Sequence, residues 1–518
     1  MRIPALIFSF FVLTTPAFAG PQVSIAQGVL AGTTDGGIAV FKGIPFALPP
    51  VGDLRWRPPQ APAAWSGVRD ASQYGAICVQ APHNSNTPQR ETHPESEDCL
   101  TANVWTPATA GKLPVMVWIY GGGFRTGGSA MSLYDGMELA QHGVVVVTFN
   151  YRLGWFGFLD LPSLAAEHPG EPHGNYGLMD QIAALQWVQK NIAAFGGDPA
   201  NVTIFGESAG GMSVNDLMVS PPARGLFAKA ISESGLGLID TPSDAEAQKA
   251  AGDFARNMGA SSETGAEQLK DLRARPAAAV QRREPEHDTA GFAPMVDGTI
   301  LPDGVAKLFS QGRIAHAAYM AGSNSDEASL MEYLGMTDDD MLKPLGDHAA
   351  DVRKVYEADG KIDDHAFARL LFDDGLFADG AQGFAHYAAK TGSPAYVYHF
   401  RYLADVLRGR ADGVSHGGEL FYVFGIHGLM QNPAGAQLAS FATDKDKTVV
   451  ALMQNYWTNF AKTGDPNGQG QPHWPQSTAA APATLVIDDK TQTVMGFLKA
   501  RLALVYAIWS ARTGLPLP

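Results

Sequence analysis

The stretch Asn201-Val-Thr-Ile-Phe-Gly-Glu-Ser-Ala-Gly-Gly-Met-Ser-Val-Asn-Asp-Leu-Met-Val219 carries the decisive pattern of this chain. It begins as an apolar strand and ends as a helix. Between the two lies Gly206-Glu207-Ser208-Ala209-Gly210, a Gly-x-Ser-x-Gly turn. Glycines on either side of such a serine allow a strained strand-to-helix turn that lifts the hydroxyl above a sheet edge. The pattern recurs at Gly413-Val414-Ser415-His416-Gly417, but that copy follows the polar loop Arg408-Gly-Arg-Ala-Asp412 and has no strand before it. Ser208 is therefore the candidate nucleophile, and Ser415 is not.

A second motif argues against a merely structural Ser208. Tyr120-Gly121-Gly122-Gly123-Phe124 directly follows the apolar run 113–120. A glycine run leaves backbone N–H groups uncovered, and such donors can hold the oxyanion that forms when a serine attacks a carbonyl. Gly122 and Gly123 are the expected loop donors, with Ala209 after the nucleophile as the third. A phosphate cradle would require Lys and Ser or Thr after the glycines; Phe124-Arg125-Thr126 stands there instead.

A serine hydroxyl needs a base to take its proton. His416 lies in the Gly-flanked loop 412–418, beyond the expected strand 395–400, where a loop can aim a side chain into a site. His399 falls within that strand and reads as core. The acid should follow another strand. Asp326 and Glu327 come just after the run 317–322, with Asp405 and Asp412 as further contenders, and spacing alone does not separate Asp326 from Glu327.

The wider chain fits an α/β fold. Short apolar runs at 113–120, 144–150, 202–206, 228–232, 317–322, 395–400 and 484–487 read as buried parallel strands. Leu178, Ile182, Leu185, Val188 and Ile192 recur at helical spacing. Strands alternating with helices imply a mostly parallel sheet flanked by helices. Residues 22–47 read as a small N-terminal antiparallel sheet, and the Ala-rich stretch 244–279 as surface helices. No linker divides residues 20–518, so they are expected to form a single domain with inserted helical segments.

Arg2, the apolar run 5–13 and Ala17-Phe18-Ala19 together form the pattern of a secretory signal peptide cleaved after Ala19. No later stretch is apolar enough to span a bilayer. The expected location is periplasmic or extracellular, where the only two cysteines, Cys78 and Cys99, should pair. His168 and His173 have the spacing of a zinc finger but lack a close Cys pair, so no metal is expected. The net charge of −15 repels phosphate backbones and excludes nucleic acid as a partner. Asn201-Val-Thr203 is a glycosylation sequon, but it falls within an expected strand.

Taken together, Phe46-Ala-Leu-Pro-Pro50, Ser96-Glu-Asp-Cys-Leu100, the glycine loop, Asn150-Tyr-Arg-Leu-Gly154 and the block 174–211 resemble the type-B carboxylesterase and cholinesterase family of α/β-hydrolases. The resemblance implies a serine esterase that needs no cofactor and acts on a small-molecule ester. It selects Glu327 as the acid, through Gly322-Ser-Asn-Ser-Asp-Glu327, and supports His416 through His416-Gly-Gly-Glu-Leu420. It also implies the Cys78–Cys99 pairing, supporting positions for Ser234 and Glu207 beside the triad, and a structural Arg152–Asp180 ion pair. The cholinesterase branch carries a Trp in its Cys loop for cation–π contact. Here the loop has no aromatic residue, which argues against choline esters. The small, polar stretch His287-Asp-Thr-Ala-Gly291 suggests a wide acyl pocket, and Arg125 stands either at a solvated rim or ready to meet a substrate carboxylate. The same triad would also serve amide, carbamate or lactone cleavage, or acyl transfer. A non-catalytic binding protein on this fold is disfavoured by the complete triad.

Overall fold

The computed structural model describes residues 20–80, 91–260, 265–281, 293–358, 360–425 and 443–518. The expected signal segment and the stretch 287–291 lie outside these residues.

All seven apolar runs become strands of one 11-stranded sheet. In spatial order they are Val145–Phe149, Leu113–Ile119, Gly197–Glu207, Lys229–Glu233, Ala318–Asn324, Ala395–Phe400 and Ala483–Ile487, and every pairing among them is parallel. Their side chains are almost wholly buried, as helices on both faces require of a parallel sheet. Antiparallel strands close the two margins. Gln492–Met495 pairs with Ala483–Ile487, and Thr101–Thr106 pairs with Val145–Phe149.

The stretch 22–47 divides between two sheets. Gln22–Ile25 and Gly28–Ala31 form an antiparallel hairpin, joined by Val68–Asp70 in parallel, as a separate three-stranded sheet. Thr33–Asp35 and Ile38–Pro45 instead extend the main sheet beyond Thr101–Thr106. The division falls at Gly32, where a Cβ would sit 2.3 Å from the carbonyl oxygen of Val40. The apolar side chains of Ile38, Val40, Phe41 and Ile44 bury themselves in the main core.

The helical face read from 178 to 192 lies on Tyr176–Asn191, which runs on as a 3-10 turn, Ile192–Phe195. Asp180 on this helix is fully buried and grips the Arg152 guanidinium with both oxygens, at 2.7 and 2.8 Å. The Ala-rich stretch forms Asp244–Asn257, Ala266–Ala274 and Ala277–Gln281, each with exposed positions. Cys78 and Cys99 form a disulfide. Among the described residues no helix is long and apolar enough to cross a membrane.

Candidate active site

Ser208 sits between the strand Gly197–Glu207 and the helix Ala209–Val219, at φ 57° and ψ −124°. A non-glycine residue holds such a backbone only where its surroundings enforce it. Here the Ser208 amide donates to the carbonyl of Glu233 at 2.9 Å, and the Ser208 carbonyl accepts from Met212 at 2.8 Å. The turn is packed against the neighbouring strand: a Cβ on Gly210 would lie 1.9 Å from the oxygen of Ile119. The glycine loop abuts Ser208, since a Cβ on Gly121 would come within 2.9 Å of Ser208 Cβ. Beyond it, Gly122, Gly123 and Phe124 all have positive φ, and the amides of Arg125 and Thr126 fold back onto the Gly122 carbonyl. Among the described residues the amides of Gly122, Gly123 and Ala209 donate to no acceptor.

Glu327 is fully buried at the start of a 3-10 turn, Glu327–Ser329, just past the strand Ala318–Asn324. Its Oε2 accepts from His416 Nδ1 at 2.6 Å, and its Oε1 accepts from the Asn324 amide at 2.7 Å and Ser234 Oγ at 2.6 Å. Burial pushes the Glu327 pKa up, but the charge of His416 and these hydrogen bonds outweigh it and hold the carboxyl below its ordinary range. Ser329 Oγ accepts from the His416 amide at 3.0 Å and fixes the loop. Ser208, Glu327 and His416 thus all follow the C-terminal ends of parallel strands, where sites of open α/β sheets form.

His416 Nε2 lies 3.0 Å from Glu207 Oε1 without hydrogen-bond geometry, and it makes no hydrogen bond to Ser208 in this resting state. Such bonds often tighten only when substrate is bound. Burial lowers the His416 pKa; Glu207 first, then Glu327 and Glu419, overcome that and push it up to about 9. Glu419 is itself buried, with Asn324 Nδ2 on its Oε2, and burial beside Glu207 pushes its pKa up to about 8.

The other candidates go elsewhere. Asp326 pairs with Arg369, Asp405 pairs with Arg408 at 2.9 Å, and Asp412 is exposed. Ser415 is exposed on the loop, its carbonyl accepting from Asn324. His399 packs against Phe497, with ring centroids 4.8 Å apart and planes inclined by 41°, and burial lowers its pKa to about 4. His168 meets Arg57 at 2.6 Å while His173 meets Asp160 at 2.5 Å, so the two share no site. Arg125 is half-buried beside the glycine loop. Asn201 is held by Lys229 and the Lys462 carbonyl, in agreement with its place in a strand rather than on an open loop.

Asn324, Ser329 and Glu419 were not singled out from the sequence. All three lie within the segments that carry Glu327 and His416, so their polar character beside those residues was the available signal.

The model of the Carboxylesterase family matches residues 19–504. The chain belongs to the carboxylesterase family. It is a carboxylic-ester hydrolase with the α/β-hydrolase fold. It is 38% identical to para-nitrobenzyl esterase of Bacillus subtilis, over 90% of this chain and 95% of that protein. It is 37% identical to fumonisin B1 esterase of Sphingopyxis macrogoltabida, over 85% of this chain and 82% of that one. Rabbit (Oryctolagus cuniculus) liver carboxylesterase 1 is 36% identical over 85% and 83% of the two chains. A solved structure of a PNB esterase superposes with a TM-score of 0.77 at 34% identity, covering 93% of this esterase and 99% of that chain.

Proposed function

We propose that this esterase works through a Ser208–His416–Glu327 triad and a covalent acyl-enzyme. Ser208 Oγ attacks the ester carbonyl as His416 Nε2 takes its proton. The amides of Gly122, Gly123 and Ala209 receive the negative charge on the carbonyl oxygen. Collapse of the tetrahedral adduct breaks the bond to the alkoxy oxygen, which takes the proton from His416 and leaves as the alcohol. Water, deprotonated by the same imidazole, then attacks the acyl-serine; the bond to Ser208 Oγ breaks, that oxygen takes the proton back from His416, and the acid leaves. Glu327 keeps Nδ1 protonated and stabilises the imidazolium without accepting its proton. The observation that carries this reading is the buried Glu327–His416 contact at 2.6 Å, joined to the Ser208 turn through Glu207 on one side and Glu233–Ser234 on the other.

Residues 20–518 act in this reading as one catalytic domain, exported by the leader 1–19. The disulfide and the start of the family match at residue 19 support export to the periplasm or beyond. The test is a fluorophosphonate probe with the labelled residue located by peptide mass spectrometry. The expected adduct is on Ser208 and is absent from Ser208→Ala. Labelling elsewhere, or wild-type turnover by Ser208→Ala, would refute the assignment.

A further inference from the structure

Two edges of the His416 ring are accounted for by Glu327 at Nδ1 and Glu207 near Nε2. A third neighbour is the ring of Phe377, with centroids 5.2 Å apart and planes inclined by 59°. Phe377 is buried and belongs to a small apolar cluster with Ala328, Met331 and Phe372, separate from the main core. It is carried by Asp374–Ala378, a turn wound as a π-helix between the helices Asp364–Asp373 and Asp379–Lys390, with the Asp379 amide donating to the Asp374 carbonyl. A π turn holds one residue more than an α turn, which changes the phase of the helix by about 100°. The direction of Phe377 therefore depends on that turn staying wide.

The turn is tied to the site on two sides and anchored away from it on a third. Asp373 Oδ1 accepts from the amide of Ala328, next to Glu327, at 2.7 Å. The Leu376 carbonyl accepts from Gly237, in the loop after Ser234, at 2.6 Å. Asp374 Oδ2 accepts from Arg501 Nε at 2.5 Å, on the C-terminal helix Lys499–Thr513, and Arg501 also lies over the Tyr356 ring at 4.7 Å.

We infer that Phe377 is a positioning residue for His416, held in place by the π turn and its Asp374–Arg501 anchor. The inference rests on the proposed triad. A hydrogen bond at Nδ1 alone leaves the imidazole free to swing about that contact, and Glu207 offers Nε2 a competing partner at 3.0 Å. An apolar ring packed beside it restricts the swing and keeps water from the imidazolium while Nε2–H is needed by the leaving oxygen.

The experiment compares wild type, Phe377→Leu, Arg501→Gln and Ser208→Ala on an uncharged p-nitrophenyl ester, with kcat, KM and the pH dependence of kcat measured on each. Phe377→Leu keeps the site apolar but loses the flat ring. It is expected to lower kcat by about tenfold with KM within about twofold. The acid limb of its kcat profile should move to higher pH, because water reaching the ring favours the charged form. Arg501→Gln, remote from the imidazole, should show the same pattern more weakly, and it carries the test if Phe377→Leu does not accumulate as folded protein. An unchanged kcat and acid limb in these variants, with Ser208→Ala inactive, would overturn the positioning role and leave the triad standing. A loss of kcat that merely follows the folded fraction, with the acid limb unmoved, would overturn it too. Turnover by Ser208→Ala would instead overturn the triad itself.

Discussion

Glu207→Gln offers a direct test of the electrostatics around the imidazole. Glu207 Oε1 is 3.0 Å from His416 Nε2 and is the strongest of the influences raising the pKa of that ring to about 9. A carboxylate this close shifts a neighbouring pKa by roughly one to three units. The glutamine keeps the shape and removes the charge, so the His416 pKa should fall toward about 6 to 8. The sign follows from the proposed role of His416 as the base. His416 accepts a proton only when neutral, and at pH 7 a group with a pKa of about 9 is neutral in about one molecule in a hundred. A fall of two units makes it neutral in about half. The acid limb of kcat/KM should therefore move to lower pH by one to three units, roughly. The alkaline plateau should fall at the same time, because Glu207 no longer stabilises the imidazolium formed during attack. The assay is kcat/KM for a neutral ester from about pH 5 to 10, with the fluorophosphonate labelling rate over the same range. An acid limb that stays in place, or moves upward, would refute the reasoning.

Three further outcomes are expected. Ser234→Ala removes one of the two hydrogen bonds to Glu327 Oε1; at about 1.5–3 kcal/mol for a bond to a charged group, kcat should fall about ten- to a hundredfold with KM little changed, as steady-state kinetics would show. Gly210→Ala forces a Cβ against the Ile119 carbonyl, so labelling of Ser208 should fall more than about a hundredfold, with a measurable loss of stability in urea. Arg152→Ala strands the fully buried Asp180 without its partner and should cost about 3–5 kcal/mol in denaturant unfolding, whereas kcat per folded molecule should hold.

The parallel core was legible because a strand buried on both faces leaves a short apolar run. The choice of Ser208 over Ser415 followed from the strand before it. The split of residues 22–47 was not legible, since the same alternation suits an edge strand of either sheet. The choice between Asp326 and Glu327 depends on a turn that sends one carboxyl to Arg369 and its neighbour inward to His416, a difference of backbone direction that spacing does not record. Phe377 left no local mark at all: its contact with His416 depends on the winding of one helical turn in a distant part of the chain.

The order of strands has a kinetic consequence. The strand before Ser208 is seated between Leu113–Ile119 and Lys229–Glu233, while the proposed acid and base follow strands laid down later in the chain, Ala318–Asn324 and Ala395–Phe400. Pairings between such distant segments form slowly, because loop closure precedes any gain from the contacts. In a refolding experiment the far-ultraviolet signal of the helices should return first and the capacity to react with the probe last. A nascent chain whose residues beyond about 400 have yet to emerge would for the same reason be inert toward esters.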